Sequence, residues 1–289
     1  MRPSSFEYHK AADIEDAVRL LAEFGDEGRP IAGGQSLVPM MNLRLARPSH
    51  LVDINALALN DIEFDGQVMR IGALVRHERY TGDPRVAKHF PAFMDAVHWI
   101  GHPTIRRNGS IGGSLSHADP TAELPAAAIL YDASIVVRSV KGERHIAAVD
   151  FFESAYVTSL EPGELVVAVE FPLPPPGSTG SFMEIGERRG DFATASVGTA
   201  LEFDGETITK AAIVCCGADL VAIRAPGIES FLVGKPLKAP QAEEAGKMFA
   251  AEVEPSSDHV ASADYKRALI GELTRRAVET ACARALESK

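Results

Sequence analysis

Nine residues, Pro172-Leu-Pro-Pro-Pro-Gly-Ser-Thr-Gly180, divide this chain. Proline locks φ and lacks an N–H, so it can continue neither a helix interior nor an inner strand, while glycine loosens the backbone. The run therefore reads as a linker at 172–180. It separates an α+β N-terminal part, ending near residue 175, from a smaller C-terminal part of strands followed by helices. With 289 residues in all, the chain is long enough for each part to bury a core.

Periodicity fills in the two parts. Residues 13–24 carry Ile14, Ala17, Val18 and Leu21 at helical spacing, with Asp13 as a cap and Gly25 as a stop. Strands are expected at 29–32, 50–54, 68–75 and 165–171, and helices at 37–45, 91–100 and 122–131. Residues 109–116 read as a Gly/Ser loop. Lys141-Gly142 and Asp204-Gly205 sit between alternating runs and predict hairpins over 134–147 and 195–216. Helices at 241–252 and 263–286 close the chain, the second with Leu269, Leu273, Ala277 and Ala281 forming a core or interface stripe.

Composition excludes several function classes. A net charge of −11 disfavours nucleic acid and anionic membranes, which select basic faces. The three cysteines, Cys215, Cys216 and Cys282, are one short of the four ligands of an iron–sulfur cluster or an all-cysteine zinc site. They suggest no disulfide framework, and adjacent Cys215-Cys216 read as apolar strand residues. His98, His102 and His117 fit no metal-binding spacing. The opening residues lack a secretory apolar core and no run is long enough to span a bilayer, so a cytoplasmic protein without membrane insertion is expected.

The residues that carry chemistry are two paired-glycine motifs, Ala32-Gly33-Gly34-Gln35-Ser36-Leu37 and Ser110-Ile111-Gly112-Gly113-Ser114. Glycine admits close ligand approach and positive φ, so successive N–H groups can converge on an anion such as pyrophosphate; serine adds neutral donors. Taken singly, a Gly-Gly pair of this kind is usually an ordinary turn. Neither fits the dinucleotide G-x-G-x-x-G or the G-x-x-x-x-G-K-[ST] phosphate pattern.

The longer segments around these motifs are distinctive. Ile31 through Ala46, followed by Asp53-Ile54, and Asn108 through Pro125 resemble the flavin subunit of the molybdenum hydroxylases, the family of xanthine dehydrogenase, aerobic carbon monoxide dehydrogenase and the nicotine, nicotinate and caffeine dehydrogenases. Arg188-Arg-Gly-Asp-Phe-Ala193 resembles the family's loop beside the flavin, which implies that Asp191 and Phe192 lie near it. The likeness covers nearly the whole chain. It implies an α+β fold: a vanillyl-alcohol-oxidase-type (PCMH-type) FAD-binding domain over 1–175, in subdomains of about 1–55 and 56–175, and a flavoprotein C-terminal domain of antiparallel strands and helices over 176–289.

The resemblance also implies roles. Ala32, Gly33, Gly34, Gln35, Ser36 and Leu37 would wrap the FAD pyrophosphate, with Gln35 standing where several relatives carry histidine or asparagine. Ser110, Ile111, Gly112, Gly113 and Ser114 would hold the other side of the diphosphate, with Ile111 close to the isoalloxazine. Glu123, and secondarily Asp119, would bond ribityl or ribose hydroxyls, and Ile100 and Val166 would pack on the rings. Glu184 stands where some relatives carry lysine. FAD would be non-covalent. Molybdopterin would reside in a large partner subunit and two [2Fe–2S] clusters in a small one, as a heterotrimer that itself dimerises, with electrons crossing the clusters to FAD and leaving to an external acceptor. The competing readings are a free-standing flavin oxidase or reductase of the same fold and a non-catalytic assembly module.

Overall fold

The computed structural model describes residues 2–238 and 240–287. The N-terminal part holds two main sheets, besides the short antiparallel pair Phe152–Ser154 and Val157–Thr158. Three short strands, Glu7–Lys10, Gly28–Ile31 and His50–Asp53, form a parallel sheet with His50–Asp53 in the middle. Parallel strands need crossover connections. The first is the helix Ile14–Phe24, capped by the Asp13 carboxylate, which accepts from the Asp16 N–H at 2.8 Å. The second is the segment that contains the first glycine motif and the helix Leu37–Asn42.

A five-stranded antiparallel sheet follows, in the order Ile62–Phe64, Val68–Gly72, Leu165–Pro172, Ser134–Ser139, Gly142–Ala147. Its central strand, Leu165–Pro172, is buried along nearly its whole length and shifts register between Val166 and Ala168. Such a shift bends the strand and re-aims its side chains. One face packs on helices Pro91–Trp99 and Glu123–Leu130 through an aromatic cluster: Phe93 meets Tyr80 at 5.2 Å and Phe171 at 5.4 Å, both edge to face.

The link to the C-terminal part is shorter than expected. Pro172 still pairs with Val68, and Thr179 and Gly180 already belong to the next strand, Thr179–Ile185. Gly180 suits this strand because a Cβ there would meet the Thr199 carbonyl oxygen at 2.6 Å. That strand joins Ala195–Asp204, Thr207–Cys216 and Ile223–Arg224 in an antiparallel sheet. The long helix Ala263–Glu287 lies across it and accepts hydrogen bonds from Thr179 Oγ1 and Ser181 Oγ at its Ala281 and Ala277 carbonyls, both 2.9 Å. Leu273, Ala277 and Ala281 are buried in the C-terminal core, with Leu269 packed at its margin, and Cys215 and Cys216 are buried strand residues.

Other boundaries also moved. The strand expected over 68–75 ends at Gly72, where a Cβ would strike the Leu59 carbonyl at 2.4 Å. The helix expected over 37–45 ends at Asn42, and Arg44 has a φ of 62°. The largest difference is at 109–116. This segment is the helix Ile111–His117, capped by Ser110, and not a loop.

Candidate functional site

A cleft of about 630 Å³ opens between the two N-terminal sheets and the C-terminal loop that contains Gly190, Asp191 and Phe192. Its size falls in the range of cofactor sites. Both glycine motifs line it. The first leaves the end of strand Gly28–Ile31, turns at Gly34 with a φ of 68°, and enters a helical turn in which the Val38 N–H donates to the Gly34 carbonyl at 3.1 Å. The N–H groups opening such a turn have no acceptor one turn earlier, so those of residues 34–37 are the natural free donors of the cleft. The Gln35 side chain is turned back onto the motif, its Nε2 donating to the Gly33 carbonyl at 2.8 Å.

Gly33 is glycine for a second reason. A Cβ on it would lie 1.9 Å from the Asn108 carbonyl oxygen, so the first motif rests on the backbone that leads into the second. Side chains absent from the motif reading lock this junction. Asn55 Nδ2 donates to the Ala32 carbonyl at 3.0 Å; Arg76 donates to Asn55 Oδ1 and to the Asn108 carbonyl, both at 2.6 Å. Asp53 holds Asn55 at 2.6 Å. No local pattern announces Asn55 or Arg76, because their partners are carbonyls distant in sequence.

The second motif departs from the expected anion-binding loop. Its donors are spent inside the protein: Ile111 N–H to the Val75 carbonyl (3.2 Å), Gly112 to Ala73 (2.9 Å), Ser114 to the Ser110 carbonyl (3.0 Å), and Gly113 to Ser110 Oγ (3.4 Å). Gly112 permits contact with the neighbouring sheet, since a Cβ would meet that of Ala73 at 2.6 Å. Ser110, Gly112, Gly113 and Ser114 line the cleft, but Ile111 does not; its side chain is 1% exposed and belongs to the main core. The reason is helical phase, which turns Ile111 inward while its neighbours face the cleft.

Ile100, Val166, Asp119 and Glu123 also line the cleft, as do all six residues 32–37. Asp119 is committed to local structure, accepting from the Thr121 N–H (2.9 Å), Thr121 Oγ1 (2.6 Å) and the Tyr156 hydroxyl (3.2 Å). Glu123 opens helix Glu123–Leu130 and is half-buried; desolvation, reinforced by the Asp119 charge, pushes its carboxyl up to about 7. Behind it, burial and then the Glu123 charge push Glu184 up to about 9, and Glu184 Oε2 has no hydrogen-bond partner. Two carboxyls that share a dry site resist joint ionisation. A third group missed from sequence is His77, buried on the cleft wall, with Nδ1 unpartnered; burial, with the Arg76 and Arg106 charges, holds its imidazole down to about 4 and neutral. Phe192, at the mouth, is 70% exposed.

This arrangement suits a large ligand with an anionic middle: neutral N–H donors at one end, the half-buried Glu123 carboxyl as a polar anchor, and apolar Ile100 and Val166 for a ring. Residues 4–174 match the FAD binding domain in molybdopterin dehydrogenase, and residues 180–281 the CO dehydrogenase flavoprotein C-terminal domain. The chain is 38% identical to the 6-hydroxypseudooxynicotine dehydrogenase complex subunit alpha of Paenarthrobacter nicotinovorans, over 100% of this chain and 98% of that one. It is 36% identical to the carbon monoxide dehydrogenase medium chain of Afipia carboxidovorans, covering 99% of both. Among solved structures it superposes on Cu,Mo-CO dehydrogenase with a TM-score of 0.94 (35% identity, 98% of this chain and 100% of that one). On quinoline 2-oxidoreductase from Pseudomonas putida 86 the TM-score is 0.93 (34% identity, 99% and 100%). The chain thus belongs to the FAD-binding subunits of the molybdenum hydroxylase family, and is an oxidoreductase subunit with an FAD-binding domain.

Proposed function

We propose that this chain is the electron-transfer flavoprotein of a heteromeric molybdenum hydroxylase, taking electrons from [2Fe–2S] clusters of a small partner subunit and passing them to an external acceptor. The large partner would carry molybdopterin and oxidise the substrate. The observation that carries the reading is the cleft in which the first glycine motif, the Glu123 carboxyl and the apolar pair Ile100 and Val166 converge. With three cysteines, all buried and unpaired with one another, the clusters belong to a neighbour. The domain limits proposed are 1–175 and 176–289, the first a PCMH-type unit in two subdomains.

Bound FAD supplies a centre that exchanges electrons singly or in pairs. The chain's own residues do the rest. The N–H groups of residues 34–37 would hold the diphosphate with neutral dipoles, and Ser36 and Ser114 line the same cleft with hydroxyl groups. Glu123, whose carboxyl is pushed well above the ordinary carboxylate range, would donate to or accept from sugar-type hydroxyls according to its protonation. His77, on the cleft wall, keeps an unpartnered Nδ1 and adds no positive charge there. Ile100 and Val166 exclude water from the ring face. Exposed Val38, Leu43 and Leu45, on the segment after the first motif, are apolar surface of the kind partner subunits cover. Co-purification tests the assembly: the native complex should bring a larger chain with molybdenum and a smaller chain with iron, while a native preparation of this chain alone that bleaches with an organic substrate would support a free-standing oxidase instead.

A further inference from the structure

At the start of the parallel strands, on the face where Phe24 of the first helix packs, three side chains of metal-ligating type converge. Glu7 and His9 lie two residues apart on one edge strand and so share a face, and His50 is the register partner of Glu7 on the central strand. His9 Nε2 stands 3.1 Å from His50 Nδ1; Glu7 Oε2 is 3.8 Å from the first and 3.7 Å from the second. We propose that Glu7, His9 and His50 form a binding site for a divalent first-row transition ion, zinc above all, with one coordination position left open.

The spacing supports this. Bonds of about 2.0–2.2 Å from zinc to imidazole nitrogen or carboxylate oxygen place tetrahedral ligand atoms about 3.3–3.6 Å apart. The three observed separations bracket that edge length, so shifts of a few tenths of an ångström seat an ion. The donor set, two imidazoles and one carboxylate, suits zinc, cobalt, nickel or copper and is a poor match for the all-oxygen shells of calcium and magnesium.

The imidazoles are also held in place before any ion arrives. The Phe24 ring stacks on His50 at 4.0 Å and 9°, and packs against His9 at 4.6 Å. Both imidazoles are about three-quarters covered, with side-chain exposures of 26% and 22%, while the Glu7 carboxylate is 73% exposed and free to close over an ion. Neutral His9 would coordinate through Nε2 and neutral His50 through Nδ1, each keeping its proton on the other ring nitrogen; the hydrogen bond between the rings is exchanged for two metal bonds. The chain's thiols do not compete, since all three cysteines are buried. Elsewhere among the described residues no other triad of histidine, cysteine or acidic groups converges in this way.

The test is titration of the full-length, metal-free chain with Zn²⁺, and separately with Co²⁺, in the presence of excess Mg²⁺. One ion should bind per chain, and Co²⁺ should give the intense visible bands of a four-coordinate site. His50→Asn and the exposed Glu7→Gln, which leaves the fold undisturbed, should each weaken binding by more than the roughly 10–100-fold that loss of an outer-shell partner costs. Less than one ion per chain, or unchanged affinity in either variant, overturns the proposal.

Discussion

Gly33 shows how a single missing side chain shapes the site. A Cβ there would sit 1.9 Å from the Asn108 carbonyl oxygen, and backbone cannot swing aside as a flexible side chain can. Gly33→Ala should therefore push the two motifs apart, costing about 1–3 kcal/mol as an overpacking change and most of the bound flavin. Gln35→Ala removes only an exposed local hydrogen bond and should leave both nearly intact. Melting temperature and the flavin-to-protein absorbance ratio measure the two effects. The neighbouring carboxyls Glu123 and Glu184 give a pH signature. Both carboxyls titrate higher in the folded protein than in the unfolded chain, so their stabilising contribution is complete below about pH 4.5 and is lost as pH rises through about 7 and then about 9. Stability of the flavin-free chain should fall over that window, and Glu184→Gln should flatten the fall between pH 7 and 9; an unchanged slope would count against the pair. The glycines and Glu123 were legible in the sequence because their motifs are contiguous. Asn55, Arg76 and His77 were not, since each acquires its role only when residues about 20–30 positions apart meet.

At the scale of elements, the second glycine motif is the instructive case. A Gly-Gly pair flanked by serines reads as a loop because glycine weakens helices, yet residues 111–117 are helical. Tertiary hydrogen bonds to Val75 and Ala73, the Ser110 cap and the close contact of Gly112 with Ala73 outweigh that propensity. The motif's contribution to the cleft is hence shape and hydroxyl groups, with its N–H groups committed elsewhere. Arg76 joins this element to the first motif through the Asn108 carbonyl and Asn55. Arg76→Ala removes two charge-assisted hydrogen bonds, each worth about 1.5–3 kcal/mol when well formed, and is expected to weaken flavin affinity at least tenfold in a direct titration. By contrast the hairpins over 134–147 and 195–216 were readable from turn chemistry and period-two alternation, although each turn is displaced by one position, to Val140-Lys141 and Gly205-Glu206, with Gly142 and Asp204 paired in the strands.

Across the whole molecule, the proline-rich segment marks a real joint, yet the two halves are pinned together. Arg284 on the last helix makes a two-point ion pair with Asp95 (2.7 and 3.1 Å), and Asp95 also accepts from the Phe182 N–H at 3.1 Å. Asp95→Ala should lower stability by about 1–2 kcal/mol, since the pair is partly solvent-screened, read in urea unfolding with flavin content preserved. Sequence alone could not show this joint, for its partners lie 189 residues apart. The C-terminal half matters to the site because its Gly190 to Phe192 loop closes one side of the cleft. Non-covalent binding of FAD in this cleft is read from the flavin stoichiometry of the purified chain before and after acid precipitation. One FAD per folded chain is expected, released intact into the supernatant and taken up again by the refolded protein. A folded, colourless chain that takes up no FAD, or flavin that stays with the precipitate, would contradict it.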